Sequence, residues 1–294
     1  MSDWTTREGS GAGGCRRYWS WGLVVIMVAL TGCSFAATAY RYADRIIVWQ
    51  LDHYFDLTRD QRHDLAQRLP PLLNRHRHDA LPQYETFLRE IRQRVEQGLT
   101  GPDVDWAYAT YDRLRTDLLE QVVADSATFL ASVKARQVHT FESALQKDHT
   151  KAARLIQAPA PERLNKRGQI ILDGLKDWVG PLTKEQQERI REWSLGLPDV
   201  QVVVDAYQQQ RQQELLMLLN QPRSPERIAQ ELRAMFVSLD QTAPQSYQHA
   251  VRELRADAKT MALAVDQQLT PEQRRHALAK LQRLIDQVHD LQAG

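Results

Sequence analysis

Two of the nine histidines lie in one short segment, and the neutral imidazole of histidine is a common ligand of divalent metal ions. The segment is His76-Arg77-His78-Asp79, and His53 and His63 precede it. On a helix, ligands of one metal ion are three or four positions apart, whereas two histidines that are two positions apart point about 200° from each other. We therefore interpret the segment as a solvated helical face. His76 and His78 stay weak metal candidates, because an extended backbone before Pro82 would let both chelate one ion.

Motifs of catalysis are missing from the sequence. It contains no G-x-S-x-G elbow, P-loop, H-E-x-x-H or C-x-x-C. Residues 33–294 carry 35 acidic and 35 basic side chains, so ion pairing along helices explains the many carboxylates. We therefore predict a protein that is not an enzyme and has no cofactor. The alternative is a metal-responsive protein that uses His76 and His78, or an enzyme without a recognisable motif.

Composition limits the classes of partner. The chain has 294 residues, 43% of them hydrophobic and 26% charged, and a formal net charge of +1, which is ordinary for a globular protein. It lacks the excess of Lys and Arg with which proteins bind phosphate backbones, so we predict no nucleic-acid partner. The two cysteines, Cys15 and Cys33, exclude a disulfide scaffold and a four-cysteine metal site.

The first 33 residues have the order of a secretory signal. A basic segment at 16–17 precedes an uncharged apolar run from Trp19 to Leu30, and small residues then lead to Cys33. The tetrapeptide Leu30-Thr31-Gly32-Cys33 resembles the lipobox of bacterial lipoproteins. That resemblance implies a signal peptide over 1–32, a thioether from the Cys33 thiol to diacylglycerol, and palmitate-type acyl chains that insert into a bilayer.

Ser34 follows the cysteine. In enterobacterial lipoproteins an Asp at this place retains the protein at the inner membrane, so the resemblance implies the outer membrane and a chain that faces the periplasm. Attachment is then expected to depend on acyl chains and not on basic residues. The alternative is an uncleaved anchor, because Tyr18 to Tyr40 is mostly apolar and, at about 1.5 Å per residue, just long enough for a bilayer of about 30 Å.

Residues 33–294 are predicted to be helical. They contain only seven glycines and are rich in strong helix formers. Apolar residues recur at helical spacing at Tyr111, Leu114, Leu118, Val122, Phe129 and Val133. The only strand-like cluster, Val202-Val203-Val204, is flanked by helical patterns. We predict an all-α fold, an elongated multi-helix bundle.

Helices are expected at 36–55, 58–97, 103–156, 161–179, 183–196, 199–220, 224–240 and 244–292. Prolines predict breaks at Pro70-Pro71 and near Ala80-Leu81-Pro82, and another break is expected between Asp266 and Thr270. The proline-rich stretch 157–161 is the clearest linker. It divides the chain into an N-terminal half, 33–157, and a C-terminal half, 158–294, which together also fit one domain.

A short motif of the form L-T-x-[DE]-Q occurs three times. Its shared residues are Leu57, Thr58 and Gln61; Leu182, Thr183 and Gln186; and Leu269, Thr270 and Gln273. A threonine N-cap accepts the N–H of the third helical residue, and a glutamine there reaches back to the N-cap N–H. Each motif is therefore predicted to be a capping box that starts a helix. The next residue is Arg62, Gln187 or Arg274, so the apolar partner of a hydrophobic staple is absent.

Two family resemblances follow from these residues. The motif is similar to the L-T-x-x-Q motif of small helical periplasmic proteins of the Spy and CpxP type, which include ATP-independent chaperones and envelope-stress regulators. A wider resemblance, to a family of uncharacterised bacterial lipoproteins with a domain of unknown function, implies location and a helical fold but no activity. It rests on Tyr42-Ala43-Asp44, Trp49, Asp52, Tyr54, Leu57-Thr58, Leu81-Pro82, Tyr84 and the segment from Trp178 to Thr183.

Aromatic residues are dense in the first expected helix. They are Tyr40, Tyr42, Trp49, Tyr54 and Phe55. Because an acylated Cys33 is close, we expect Tyr40 at the head-group level of the membrane. Trp49 is expected in the core, together with neighbouring isoleucines and leucine.

These features predict an outer-membrane-anchored, periplasm-facing lipoprotein with a binding role. Its expected partners are the lipid bilayer, through acylated Cys33, and a protein partner or an unfolded client. The partner would be held in a groove between helices by apolar contacts with a rim of Arg and Gln. The 30 arginines against 8 lysines favour a binding surface, because arginine is enriched at interfaces.

Overall fold

The computed structural model describes residues 39–222, 224–238 and 242–293. In these residues the backbone is built from α-helices with one π-helical turn and contains no strand, so the predicted all-α bundle is confirmed. Cys33 and the predicted signal peptide lie outside the described residues. No helix in this part of the chain is long enough and apolar enough to cross a membrane.

The helices follow one another with short connections. Their bounds are α1 Ala43–Phe55, α2 Arg59–Asp79, α3 Leu81–Gln97, α4 Gly101–Ala131, α5 Ala135–Ile156, α6 Ala160–Val179, α7 Lys184–Gly196, α8 Gln201–Leu219, α9 Pro225–Leu232, α10 Gln245–Gln267 and α11 Pro271–Ala293. The π-helical turn, Arg233–Val237, directly continues α9.

The expected break at Pro70-Pro71 is wrong, since both prolines lie inside α2. Proline cannot donate an N–H to the carbonyl four residues earlier, and these carbonyls belong to residues 66–67. The prolines and residues 66–67 are all exposed, so water is available to the two carbonyls. On the opposite side of α2, the buried Leu65 and Leu69 hold the helix against the core.

The other expected breaks are found, and one further break was missed. α2 ends and α3 begins on either side of Ala80. α10 ends at Gln267 and α11 begins at Pro271, so the break between Asp266 and Thr270 is also present. The helix expected at 103–156 is divided into α4 and α5 by residues 132–134. This start was hidden because Lys134, which is not a usual N-cap residue, precedes α5. The strand-like valines at 202–204 are helical, within α8.

Within the part of the chain that the structure describes, three clusters of buried apolar side chains connect the helices. The first joins α1, α2, α4 and α5 through Phe55, Leu57, Leu65, Leu69, Phe129 and Phe141. The second joins α4, α8 and α9 through Val123, Ala127, Leu218, Ile228 and Leu232. The third joins α6, α7 and α11 through Leu172, Val179, Leu182, Ile190 and Ala277. The motif leucines belong to the first and third clusters or, in the case of Leu269, pack against the third.

Helices from the two halves of the chain also pack against each other. α11 runs along α3, as hydrogen bonds at both of its ends show. Arg274 at the start of α11 donates to the carbonyl of Val95, and Gln292 near its end donates to Glu85. Arg255 of α10 makes two hydrogen bonds, of 2.7 and 2.8 Å, to the carboxylate of Asp112 in α4. The division at residues 157–158 stays a prediction.

Candidate functional site

The three L-T-x-[DE]-Q motifs form the expected capping boxes. The hydroxyl of Thr58 accepts the Gln61 N–H at 3.3 Å, and the Gln61 amide oxygen accepts the Thr58 N–H at 3.0 Å. The corresponding distances are 3.2 and 3.0 Å in the motif at 182–186, and 3.2 and 3.0 Å in the motif at 269–273. Each motif therefore satisfies two backbone donors at a helix start.

The glutamines of the second and third motifs also bind each other, which capping alone does not explain. Gln186 Nε2 donates to Gln273 Oε1 at 2.9 Å, and Gln273 Nε2 donates back to Gln186 Oε1 at 2.8 Å. Their remaining amide hydrogens go to carbonyls in the turn before the partner's helix, at Gln268 and Pro181. Both side chains are buried. We name this arrangement the C-terminal joint, because it ties together the starts of α7 and α11.

A matching N-terminal joint ties together the starts of α2 and α5, and half of it was missed in the sequence. Gln61 Nε2 donates to Gln137 Oε1 at 3.1 Å, and Gln137 Nε2 donates back at 2.8 Å. Gln61 also donates to the Ser132 carbonyl, and Gln137 to the Phe55 carbonyl. Gln137 ends the segment Val133-Lys134-Ala135-Arg136-Gln137. An apolar residue four positions before a glutamine was the signal that could have identified it.

Lys134 stands where the other three segments have threonine. Its N–H donates to Gln137 Oε1 at 3.1 Å, so the glutamine half of the capping box is kept. A lysine side chain has no acceptor, so it cannot supply the other half. The Gln137 N–H bonds the Lys134 carbonyl instead, at 2.8 Å.

The joints are structural in their chemistry. In the C-terminal joint, for example, each amide donates two hydrogen bonds and its oxygen accepts two. A buried amide with its donors and acceptor filled has no capacity left for a ligand. The joints therefore hold helices in place, and any binding surface lies elsewhere.

The arginine that follows two of the motifs ties the new helix to the preceding one. Arg62 lies 2.7 Å from Asp52 Oδ1, and Arg274 lies 2.9 Å from Asp266 Oδ1. The hydrogen bond from Arg62, with a further one from the Leu57 N–H, lowers the pKa of Asp52. The Asp52 side chain is 38% exposed and that of Asp266 only 6%. These ion pairs occur where a hydrophobic staple would otherwise fix the direction of the chain.

His76 and His78 are not brought together. His76 lies between two tyrosines, with its Nδ1 2.9 Å from the Tyr40 hydroxyl and its ring centroid 5.6 Å from that of Tyr84. Burial lowers the pKa of His76 and raises the pKa of Tyr84 to about 12. His78 is exposed, so the expectation of a solvated face is right for His78 and wrong for His76. The described ranges contain no group of three His, Cys, Asp or Glu side chains arranged to hold a metal ion.

The expectation for Trp49 is wrong, whereas that for Tyr40, which precedes α1, stays a prediction. Trp49, expected in the core, is 60% exposed and stacks on His53. Tyr40, expected at the membrane, is partly buried against His76. The core side of α1 consists of Ile47, Val48, Leu51, Tyr54 and Phe55. The sequence does not decide which face of α1 is buried, because the four consecutive residues 46–49 are all apolar and point in different directions around the helix.

α1 therefore has a second apolar face, directed to solvent. Tyr42, Ile46 and Trp49 are 49%, 45% and 60% exposed. Ile46 and Trp49 are three positions apart in α1 and lie on one face of the helix, and Tyr42, its N-cap residue, stands four positions before Ile46. We name these three residues the α1 stripe.

A groove with a volume of about 270 Å³ lies beside this face, between α1 and α5. Its lining consists of His53, His139, Thr140, Ser143, Ala144, Lys147 and Asp148. The Tyr54 hydroxyl donates to Asp148 at 2.7 Å. The volume is below the range of about 300–1,000 Å³ that is usual for small-molecule sites. Six of the seven residues that line this α1–α5 groove carry a polar group, whereas most of the surface that they present to it is apolar.

Residues 53–248 match a family of unknown function, DUF6279. The chain belongs to this family. The DUF6279 match contains the N-terminal joint and the α1–α5 groove whole, whereas Gln273 of the C-terminal joint and the α1 stripe lie outside it. No curated protein and no solved structure matches the chain. The expectation of an uncharacterised family is confirmed, and DUF6279 brings no activity with it.

Proposed function

We propose that this member of DUF6279 is a lipid-anchored protein of the outer membrane that faces the periplasm and binds a protein partner without catalysis. The lipobox-like tetrapeptide Leu30-Thr31-Gly32-Cys33 supports the anchor, and Ser34 supports the outer membrane. The α1–α5 groove is the observation that carries the binding role.

The chemistry of the groove suits the side chains of a polypeptide. Two hydroxyls, an ammonium group, a carboxylate and two imidazoles line it. A polypeptide segment presents both hydrogen-bond donors and hydrogen-bond acceptors, and the side chains that line the groove can pair with both kinds of group. Because Tyr54 holds the Asp148 carboxylate, one wall is organised before a partner arrives, which lowers the entropic cost of binding.

A specific partner is favoured over unfolded clients. The resemblance to Spy and CpxP rests on the L-T-x-x-Q motifs, but their glutamines are buried in the joints with their hydrogen bonds filled. They therefore do not reach a client. The polar groups around the groove can fix the hydrogen bonds of one particular segment, which favours a specific partner.

Photo-cross-linking in intact envelopes tests the binding role. A benzoylphenylalanine at Lys147 in the groove should give a specific adduct, which the same probe at Ile170, exposed on α6, should not give. Ser143→Trp fills the groove and should abolish the adduct while the circular dichroism spectrum stays unchanged. The same adduct from Ile170, or an adduct that persists with Ser143→Trp, would refute the proposal.

Labelling of cells with a fatty-acid probe tests the anchor. The wild-type protein should take up the label and the Cys33→Ser protein should not. A labelled Cys33→Ser protein would exclude lipid attachment at this residue.

A further inference from the structure

We propose that the α1 stripe is a second membrane contact, in which Tyr42, Ile46 and Trp49 insert at the boundary between lipid head groups and acyl chains. The proposal rests on the lipid anchor proposed above and deepens it, because it assigns lipid binding to side chains. It also fixes which surface of the protein faces the bilayer.

The stripe belongs to one continuous exposed face. At about 100° per residue, the exposed residues Arg45, Ile46, Trp49 and His53 of α1 lie within an arc of about 100°. Arg41 and Tyr42 are also exposed and directly precede the helix. The core-facing Ile47, Leu51 and Phe55 lie on the opposite side. α1 is thus held by the bundle on one side and presents the other side to its surroundings.

The residue types of this face are those of a membrane interface. Tryptophan and tyrosine are enriched at head-group level because their rings are apolar and carry one polar atom. Arg41 and Arg45 are exposed at the edge of the face, and the Arg45 guanidinium lies 5.4 Å from the centroid of the Tyr42 ring. Guanidinium groups form strong hydrogen bonds to phosphate. Asp52, at the same edge, is already paired with Arg62.

The proposed anchor would bring this face to the bilayer. Cys33 precedes Tyr42 by nine residues, which extend to at most about 30 Å. α1 has 13 residues and is about 20 Å long, so Trp49 also stays within reach of the surface. A tethered surface needs little affinity of its own, because its local concentration at the membrane is high. The tether gives no such advantage to a soluble partner, and we therefore assign the bilayer as the occupant.

Vesicle binding by the acyl-free protein, residues 33–294 with Cys33→Ser, tests the proposal. The probe is a vesicle of phosphatidylethanolamine and phosphatidylglycerol, and the partition coefficient is measured by co-sedimentation. The double variant Ile46→Ser, Trp49→Ser should lower this coefficient about tenfold. The matched control Ile170→Ser, Met217→Ser removes two side chains that are similarly exposed elsewhere, at 52% and 58%, and should leave it unchanged.

Fluorescence of Trp49 reports insertion directly. Residues 33–294 contain four tryptophans, and Trp106, Trp178 and Trp193 are partly buried in the bundle. Vesicles with brominated acyl chains should quench part of the fluorescence of the acyl-free protein. Trp49→Phe keeps an apolar ring and should bind vesicles nearly as well, but the quenching should disappear. Quenching that is unchanged in Trp49→Phe would overturn the proposal.

Two further results would also overturn it. One is vesicle binding that the stripe variant does not weaken, or that the control variant weakens equally. The other is a stable dimer of the acyl-free protein that the stripe variant converts to a monomer, which would assign the stripe to a second copy of the chain. Fatty-acid labelling at Cys33 is measured independently, so failure of the anchor and failure of the stripe are distinguishable.

Discussion

The two joints bury the same amide pair and differ at one capping residue. The C-terminal joint has threonine at both N-caps, whereas the N-terminal joint has Thr58 at one and Lys134 at the other. The donor–acceptor distances within the pairs are nevertheless alike, 2.8 and 2.9 Å against 2.8 and 3.1 Å. The pairing therefore needs only the glutamine in the first turn, and the threonine adds a local cap.

The joints also differ in the ion pair beside them. Asp52 and Asp266 both accept from the arginine that follows a motif and from one backbone N–H, that of Leu57 or Leu99, but only Asp266 is buried. An exposed ion pair contributes little to stability, whereas breaking a buried pair leaves a charge without solvent or partner. The same local arrangement should thus matter more in the C-terminal joint.

Replacement of a joint glutamine should have the largest effect on stability. Gln273→Leu leaves the Gln186 amide and the Pro181 carbonyl buried with bonds unmade, and each such group costs about 1–3 kcal/mol. We expect the free energy of unfolding, measured by urea denaturation of the acyl-free protein, to fall by about 2–4 kcal/mol. Gln137→Leu should cost about the same, because the amide pairs are alike.

A double-mutant cycle separates pairing from capping. The double variant Gln186→Leu, Gln273→Leu should lower the free energy of unfolding by about 1–2 kcal/mol less than the sum of the two single losses. The reason is that either single change already leaves the other glutamine amide without its partner. Gln282→Leu on the surface of α11 is the control and should change stability by less than about 0.5 kcal/mol. Additive single effects would contradict the pairing.

Loss of the aspartates should have a smaller and unequal effect. Asp266→Ala leaves the Arg274 guanidinium and the Leu99 N–H without this acceptor, and we expect a loss of about 2–3 kcal/mol in urea denaturation. Asp52→Ala should cost less than about 1 kcal/mol, because water can replace the carboxylate. Equal losses would show that burial does not distinguish the two pairs.

Local patterns predicted the helices and their starts at the three motifs, because a capping box is decided by four consecutive residues. They could not predict the pairing. Gln61 and Gln137 are 76 residues apart, and Gln186 and Gln273 are 87 apart, so only the packing of the bundle brings them together. Capping was therefore predicted correctly, and the tertiary role of the glutamines was missed.

The face of α1 shows a second reason why sequence alone falls short. Ile46, Ile47, Val48 and Trp49 are consecutive apolar residues, so either side of the helix could face the core. Contacts with the first cluster select Ile47, and Trp49 is left exposed. When a helix has two apolar faces, packing against the neighbouring helices decides which face becomes buried. The sequence does not contain this information in local form, and Trp49 was therefore wrongly expected in the core.

The smallest effect should come from the residue that distinguishes the joints. Lys134 has φ −94° and ψ 159°, the extended backbone of an N-cap, so a threonine there is placed to accept the Gln137 N–H. Lys134→Thr should raise the free energy of unfolding by about 0.5–1 kcal/mol in urea denaturation, and Thr183→Ala should lower it by about 1 kcal/mol. If Lys134→Thr has no effect while Thr183→Ala destabilises, the bond to the Lys134 carbonyl already compensates for the missing cap. The difference between the joints would then lie in their ion pairs alone.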